Sequence, residues 1–440
     1  MTVQLKKTLL FTTLTLVCVF VKAQSDSTSS NTWAYTAPTT IFGIYDPLQV
    51  PLQDNRFAIT AYGDLYLASN CFSASFLQNF FGSGFITTDM KDFAASKLKP
   101  ENTLGVDVAA GVWLQMAMKK NPSLIFLAGI DYHLEESSRF TPDLFHLAFY
   151  GNYDYQNYTA DLSGSGFSLT NVMAYKVGLM KRFNAGYNDF TFGATVGLAE
   201  GLSGFDMNMS TGSLFTAFDG RYIDLDYDIR VLSSGGGAPK LGSFAGAGIS
   251  ADVFWKGYFK GPEITIQAMA NDLGAIWWNN DPVKFSGDTA IRFEGIEIDN
   301  IFSASDEAIG GDADSLFSII GLTEETQETF SQALPSRINI SATKLFSNDI
   351  YLTLGAQYML NTPYKPLVFM QVAKAFTPQQ FAVAVNAHAG GYGTFNAGVE
   401  LSKSIGNMIH LRAGTNSLLG LVLPDTFTGL GAYGALHVTF

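Results

Sequence analysis

Along most of this chain apolar and polar residues alternate with a period of two. In "TLGVDVAAGVWLQMAMKK", Leu104, Val106, Val108, Ala110, Val112, Leu114, Met116 and Met118 share one face, and Asp107, Gly111, Gln115 and Lys119 the other. In "DFTFGATVGL", Phe190, Phe192, Ala194, Val196 and Leu198 stand opposite Thr191, Gly193, Thr195 and Gly197. The pattern recurs with Ala247, Ile249, Ala251, Val253 and Trp255, and again through Ile350–Tyr358, Phe381–His388, Phe395–Ser402 and Ile409–Asn416. Successive side chains of a strand point to opposite faces, so each segment predicts a strand with one apolar face. These segments run to about ten residues, against a mean of about 5–6 in soluble sheets. A tilted strand needs about 9–11 residues to cross a bilayer, apolar outward and polar or small inward.

A bilayer offers no water to unpaired backbone groups, so a sheet that crosses one must close on itself. The expected fold is all-β: a transmembrane, antiparallel, up-and-down β-barrel over residues 57–440, with an even strand number near fourteen. The last stretch, "GAYGALHVTF", sets Leu436, Val438 and Phe440 against His437 and Thr439, and closure would tie it to the first strand. A secreted β-sandwich also has alternating strands. It accommodates strands of this length poorly, and gives no reason for the Trp and Tyr residues near their ends.

Three segments break the alternation. Residues 75–102 space Phe76, Phe80 and Phe81 as on a short helix, and residues 141–152 place Leu144, Leu147 and Ala148 on one side, with Pro142 near a helix start. Two readings stand equally: a crossover packed at a barrel mouth, or a hatch that fills the lumen. The third segment, 299–335, belongs to a stretch between Arg292 and Arg337 with ten Asp or Glu residues and no Lys or Arg. Within it "TEETQETF" from Thr323 reads as a capped helix start. "GGDADS" has aspartates at a calcium-loop spacing, but lacks the twelve-residue loop with its closing Glu, so a solvated acidic insertion at one rim is expected.

Charge and chain ends sharpen the picture. "MTVQLKKTLLFTTLTLVCVFVKAQ" carries Lys6 and Lys7, an apolar run from Leu9 to Val21, and a Val-x-Ala site before Gln24, the layout of a cleaved signal peptide over 1–23. Its loss would take the formal charge from −13 to −16, which argues against a nucleic-acid partner. One cysteine, Cys71, would remain, so no internal disulfide is possible. Residues 24–56 form an N-terminal segment ahead of the barrel. Outer-membrane lipid is the expected surrounding, and the outer membrane the expected location.

Candidate chemistry is sparse. The five histidines show no metal-ligand spacing, the glycines at 235–237 lack a phosphate-loop ending, and no G-x-S-x-G elbow occurs. No catalytic set, metal site or cofactor is expected. A barrel hydrolase, with His388 or His410 as base, is the remote alternative. The polar faces carry ionisable residues that assign the lumen side: Asp107, Asp131, Lys176, Asp252, Glu263, Glu400, His410 and Arg412. On the lipid side a basic residue at mid-depth would cost about 2–4 kcal/mol.

The phrases "NDLGAIWW" (Asn271–Trp278), "IRFEGIEI" (Ile291–Ile298) and "LPSRINISATKLFS" (Leu334–Ser347), preceded by "DLFHLAFYGN" and "AYKVGLMKRF", occur in a distinctive order. Together they resemble a family of Bacteroidota outer-membrane barrels of unknown function, over roughly 57–440. That family is similar in pattern to FadL-type channels for hydrophobic compounds and to the PorV and PorP/SprF barrels of type IX secretion and gliding. The resemblance implies a non-enzymatic barrel acting as a scaffold or partner-binding element, with a channel for small or hydrophobic molecules as the alternative. It also implies recognition of the strand ending in Phe440 by the barrel assembly machinery, and a protein partner at the surface. The FadL group carries an Asn-Pro-Ala hatch near its mature start; residues 24–56 carry none, so no site residue transfers.

Overall fold

A computed structural model describes residues 35–49, 56–235, 244–280, 282–294, 323–325, 329–376, 380–406 and 408–440. The strands begin with β1 (Phe57–Ser69), β2 (Asn102–Met118), β3 (Asn121–Phe140), the short β4 (Thr159–Asp161), β5 (Gly166–Ala185) and the long β6 (Asn188–Thr216). β7 (Ile223–Ser234), β8 (Gly246–Phe259), β9 (Ile264–Trp278), β10 (Val283–Phe293), β11 (Thr323–Glu325) and β12 (Phe330–Ala333) follow. The chain closes with β13 (Arg337–Phe346), β14 (Ile350–Met359), β15 (Lys365–Phe376), β16 (Phe381–Gly391), β17 (Phe395–Ile405), β18 (Ile409–Thr415) and β19 (Leu430–Thr439).

Among the described residues fourteen strands form the wall, each antiparallel to its neighbours, in the order β1, β2, β3, β5, β6, β8, β9 and β13 to β19. The ring shuts where β1 pairs with β19, from Ala58 opposite Thr439 to Leu67 opposite Leu430. Beyond the strand, Phe440 donates its N–H to the Phe57 carbonyl and accepts from the Phe57 N–H, both at 2.9 Å. No wall strand is left as an edge. The outward faces are apolar and exposed, with Val196, Leu198, Ile249, Leu354, Val368 and Val385 all more than half exposed. Their chain neighbours Thr195, Ser250, Thr353 and Asn386 are buried inside the cylinder. A sheet whose apolar face points out and whose polar face is buried is inside-out for water and correct for lipid. Among the described residues no helix is long and apolar enough to cross a membrane.

The two ends differ. One carries the short connections, such as Lys119–Lys120, Gly186–Tyr187 and Ser347–Asp349, together with the first and last wall strands' outer ends. The other carries the long excursions. There β6 outruns the wall: its first half pairs with β5 and β8, while Gly204–Thr216 pairs with β7, which in turn pairs with β10. This sheet projects past the barrel, and no local pattern in the sequence marks it. Thr323–Glu325 is a strand on β10, and Phe330–Ala333 a strand on β9, where a capped helix was expected. Pairing partners far along the chain override the local capping signal. Most of the acidic insertion 299–335, including "GGDADS", lies outside the described residues, as does the expected signal peptide.

Helices α1 (Ala74–Gly82), α2 (Thr88–Lys97) and α3 (Pro142–Tyr150) sit at the long-loop mouth. Ser73, Thr87 and Thr141 cap them through their hydroxyls. Cys71, Phe72, Phe76, Leu77, Ala94 and Phe145 form one apolar cluster against the mouth ends of β1, β2, β3 and β19. A short α4 (Leu418–Val422) and the turn after it brace α1, with Ser75 Oγ donating to Asp425 at 2.5 Å. The 75–102 segment is therefore a crossover at the mouth, and the filling of the lumen comes from elsewhere. Burial pushes the Cys71 thiol up to about 12, which at pH 8 leaves a thiolate fraction on the order of 10⁻⁴. A thiol reagent should leave the folded barrel unlabelled and modify Cys71 after denaturation; rapid labelling of the folded form would disprove the packed mouth.

Candidate functional site

The lumen is occupied by the chain's own N-terminal segment, Tyr35–Gln49. Its middle, Thr39, Thr40, Ile41 and Phe42, is at most 1% exposed. Nothing periodic marks "APTTIFGIYDPL", because this stretch is shaped by one carboxylate. Asp46 accepts from the Thr39 hydroxyl (2.6 Å) and N–H (3.2 Å), the Leu48 N–H (2.9 Å) and the Gln49 amide (2.7 Å), which ties the segment into a compact loop. An Asx-type local bond set of this kind replaces the ladder that a strand would have.

Inward side chains hold that plug from around the ring. Thr40 donates to Gln357 of β14 at 3.0 Å, and Gln115 of β2 donates to the Tyr45 hydroxyl at 2.8 Å and the Pro47 carbonyl at 3.2 Å. Arg412 of β18 donates to Gln49 at 2.9 Å, and the Gly43 N–H to Asp64 of β1 at 3.2 Å. The Tyr45 ring lies flat on Trp113, centroids 4.3 Å apart and planes 8° off parallel. Burial drives the Tyr45 phenol far above its ordinary range, so it stays a neutral hydrogen-bonding group. At Gly43 a side chain has no room: a Cβ there would collide with the Tyr433 side chain and crowd the Gly63 carbonyl. Gly43→Val should therefore unseat the plug and raise leak conductance in planar bilayers; an unchanged leak in a folded barrel would mean the segment is not wedged there.

Around the plug the lumen carries three charge clusters. In the first, Lys176 of β5 sits 2.8 Å from Asp252 of β8, 2.8 Å from Asp272 of β9 and 3.7 Å from Asp131 of β3. Asp131 also accepts from Trp113 (2.6 Å) and Tyr62 (2.8 Å), and Asp252 from Thr195 (2.6 Å). In the second, Arg337 of β13 bridges to Asp107 of β2, and stands 3.8 Å from Glu135 of β3, which also accepts from Tyr392. In the third, Glu400 of β17 takes Arg412 at 2.5 Å and the Tyr433 hydroxyl at 2.8 Å. Charges taken out of water persist only when paired and hydrogen-bonded.

Of the residues singled out from sequence, Asp131, Lys176 and Asp252 meet in the first cluster, Asp107 lies in the second, and Glu400 with Arg412 in the third. His410 faces inward, its Nδ1 2.7 Å from Ser404 Oγ. Glu263 does not face the lumen. It sits exposed in the turn between β8 and β9 with φ of 53°, where the alternation ends and no longer assigns a face. His388 is buried on the inner face of β16. The acid nearest in chain to the Ser404–His410 pair, Glu400, is engaged by Arg412. Asp64, Glu135, Asp272 and Arg337 carry no such mark in the sequence, since membership in these clusters depends on which strands end up side by side. A cavity of about 20 Å³ lies among His133, Glu135, Thr170, Asp272, Arg337 and the apolar Leu334, room for a single water. Among the described residues no group of three or more His, Cys, Asp or Glu could hold a metal ion.

A family model described as "Family of unknown function (DUF5723)" matches residues 63–415, most of the wall. The chain belongs to this family. No curated protein matches the DUF5723 chain. Among solved structures it is similar to the P. putida toluene transporter TodX, at 8% identity over 90% of this chain and 93% of that one, with a TM-score of 0.45. The Ralstonia pickettii toluene transporter TbuX aligns at 10% identity over 90% and 92% (TM-score 0.41), and a Pseudomonas aeruginosa FadL homologue at 10% over 87% and 89% (TM-score 0.38). The closed wall and the plug of the DUF5723 chain are read from its own strand pairings and contacts.

Proposed function

We propose that this chain is an outer-membrane barrel that passes small, largely apolar molecules, gated by its own N-terminal segment. The observation that carries the reading is the plug. Tyr35–Gln49 stops the lumen through hydrogen bonds and ring contacts, and among the described residues no covalent link fixes it to the wall. Hydrogen bonds of this kind contribute about 0.5–1.5 kcal/mol each, so they can be exchanged for water or solute one at a time. Above the plug the mouth offers an aromatic surface, with Phe80, Phe81 and Phe85 exposed beside the buried Phe72–Phe76 stack. Such a surface concentrates apolar solutes before they meet the lumen.

A locked plug tests the gate. Cysteines in place of Thr40 and Gln357, whose side-chain ends meet at 3.0 Å, should be joined by a short bifunctional methanethiosulfonate, which spans the gap left when the long Gln357 side chain is cut back. Solute entry into proteoliposomes should stop when the cross-link is made and return when it is cleaved by reduction. Unchanged entry through a locked barrel would require another path. The projecting sheet of β6, β7 and β10 favours a second reading, a partner-binding element at the cell surface: Asp224, Asp226 and Asp228 recur at every second residue of β7. Gentle detergent extraction should then bring down a basic surface protein; a barrel that purifies alone would count against it.

A further inference from the structure

One tripeptide pattern recurs at the short-turn end: "KRF" (Lys181–Phe183), "KLF" (Lys344–Phe346), "KAF" (Lys374–Phe376) and "KSI" (Lys403–Ile405). The last three each close a wall strand, β13, β15 and β17; the first stands close to the end of β5. In every case the lysine is on the outward face. Lys181 continues the exposed row Val177, Leu179, Phe183; Lys344 the row Ile338, Ile340, Phe346; Lys374 the row Val368, Met370, Val372. Lysines on a lipid-facing surface are expensive unless the ammonium reaches the interface. Here they reach it. Lys344 Nζ donates to the carbonyl of Pro262, and Lys374 Nζ to that of Asn348, both in rim turns. Lys374 Nζ also stands 5.8 Å from the Phe376 ring centroid, the placement of a long side chain whose charged head is carried to the interface.

A carbonyl satisfies one donor of an ammonium and none of its charge. The aromatic partners form a girdle at this end, with Phe57 stacked on Phe440, Phe183 on Phe190 and Phe376 on Phe381. Arg56, Lys119 and Lys120 add charge at the same rim, while its acids among the described residues are Asp189, Glu263 and Asp349, of which Asp189 is held by Lys260 at 2.9 Å. The opposite end bears the acidic row of β7. The chain is thus negative overall, yet positive in a ring where its wall leaves the bilayer.

We propose that Lys181, Lys344, Lys374 and Lys403 form a collar that takes the phosphodiester groups of anionic glycerophospholipids in the leaflet on the short-turn side. The sites are spread around the outside of the wall over an aromatic girdle, so the phosphate they fit is that of a lipid seated beside them. This inference rests on the membrane placement proposed above. Each lysine at an anionic surface is worth about fivefold in partitioning.

Spin-labelled phosphatidylglycerol and phosphatidylcholine, added to the full chain in phosphatidylcholine vesicles, report the composition of the lipid shell. The wild type should prefer phosphatidylglycerol about three- to tenfold, and high salt should erase most of that preference. Replacing all four lysines by Gln should bring the ratio close to one, and replacing all four by Arg should keep it. The pair Lys344→Gln with Lys374→Gln, in a barrel shown to be folded by its gel mobility, should give an intermediate ratio if the fourfold Gln variant does not fold. A wild-type ratio of one, a preference that survives the Gln changes, or displacement by soluble glycerophosphoglycerol would each overturn the collar. Failure of the chain to insert into the vesicles at all would instead sink the membrane placement.

Discussion

Deleting residues 35–49 should turn a closed barrel into a leaking one. In planar bilayers the full chain should hold a low conductance, and the deletion variant should exceed it by roughly tenfold or more, as expected when a barrel of this size loses its filling. The expectation follows from where the plug's contacts lie. They come from β1, β2, β14 and β18, strands spread around the ring, so one segment blocks the whole cross-section. The wall does not depend on it, since β1 to β19 close through their own ladder. Deleting residues 75–102 instead should loosen the mouth and leave conductance nearly unchanged, because those helices pack against strand ends and the 418–427 turn. A deletion of 35–49 that folds and still conducts no better than the full chain would contradict the plug.

The largest effect on stability is expected at Lys176. Its side chain is 2% exposed and faces three carboxylates, Asp131, Asp252 and Asp272. Lys176→Met keeps much of the stem and removes the only cation given to Asp252 among the described residues, leaving carboxylates buried against one another. Breaking a buried ion pair from one side costs about 3–5 kcal/mol. Urea unfolding in vesicles should show a loss of that order, and adding Asp252→Asn should recover part of it, since that change removes one of the stranded charges. Arg292→Ala, which breaks the exposed pair with Asp224 on the projecting sheet, should leave the midpoint where it is. Equal effects at Lys176 and Arg292 would mean that the lumen is wet and its charges are screened.

The wall was legible because alternation is a local property. Residues such as Val385 and Asn386 declare opposite faces whatever strand pairs with theirs, and ten-residue runs imply a bilayer. The same logic placed Asp107, Asp131, Lys176, Asp252, Glu400, His410 and Arg412 on inward faces, and failed at Glu263 where the strand gives way to a turn. The plug was hidden for the complementary reason. Residues 35–49 have no period, and their order comes from Asp46 and from wall residues such as Gln357, over 300 positions away. Which carboxylate meets which cation was also illegible, since Arg337 finds Asp107 and Glu135 only after the ring has closed. The helix expected from Thr323 yielded to strand pairing for a like reason: the local cap competed with β10 and lost.

One arrangement underlies all these expectations, a sealed cylinder with lipid outside and its own chain within. Nitroxide side chains placed singly at Leu354, Val368 and Val385, and at Gln371 and Asn386, measure it directly in reconstituted vesicles. The first three should be relaxed strongly by oxygen, which dissolves in lipid, and weakly by a water-soluble nickel complex; the last two should be shielded from oxygen. Shielding of all five alike, as between two packed sheets, would contradict the barrel and everything built upon it.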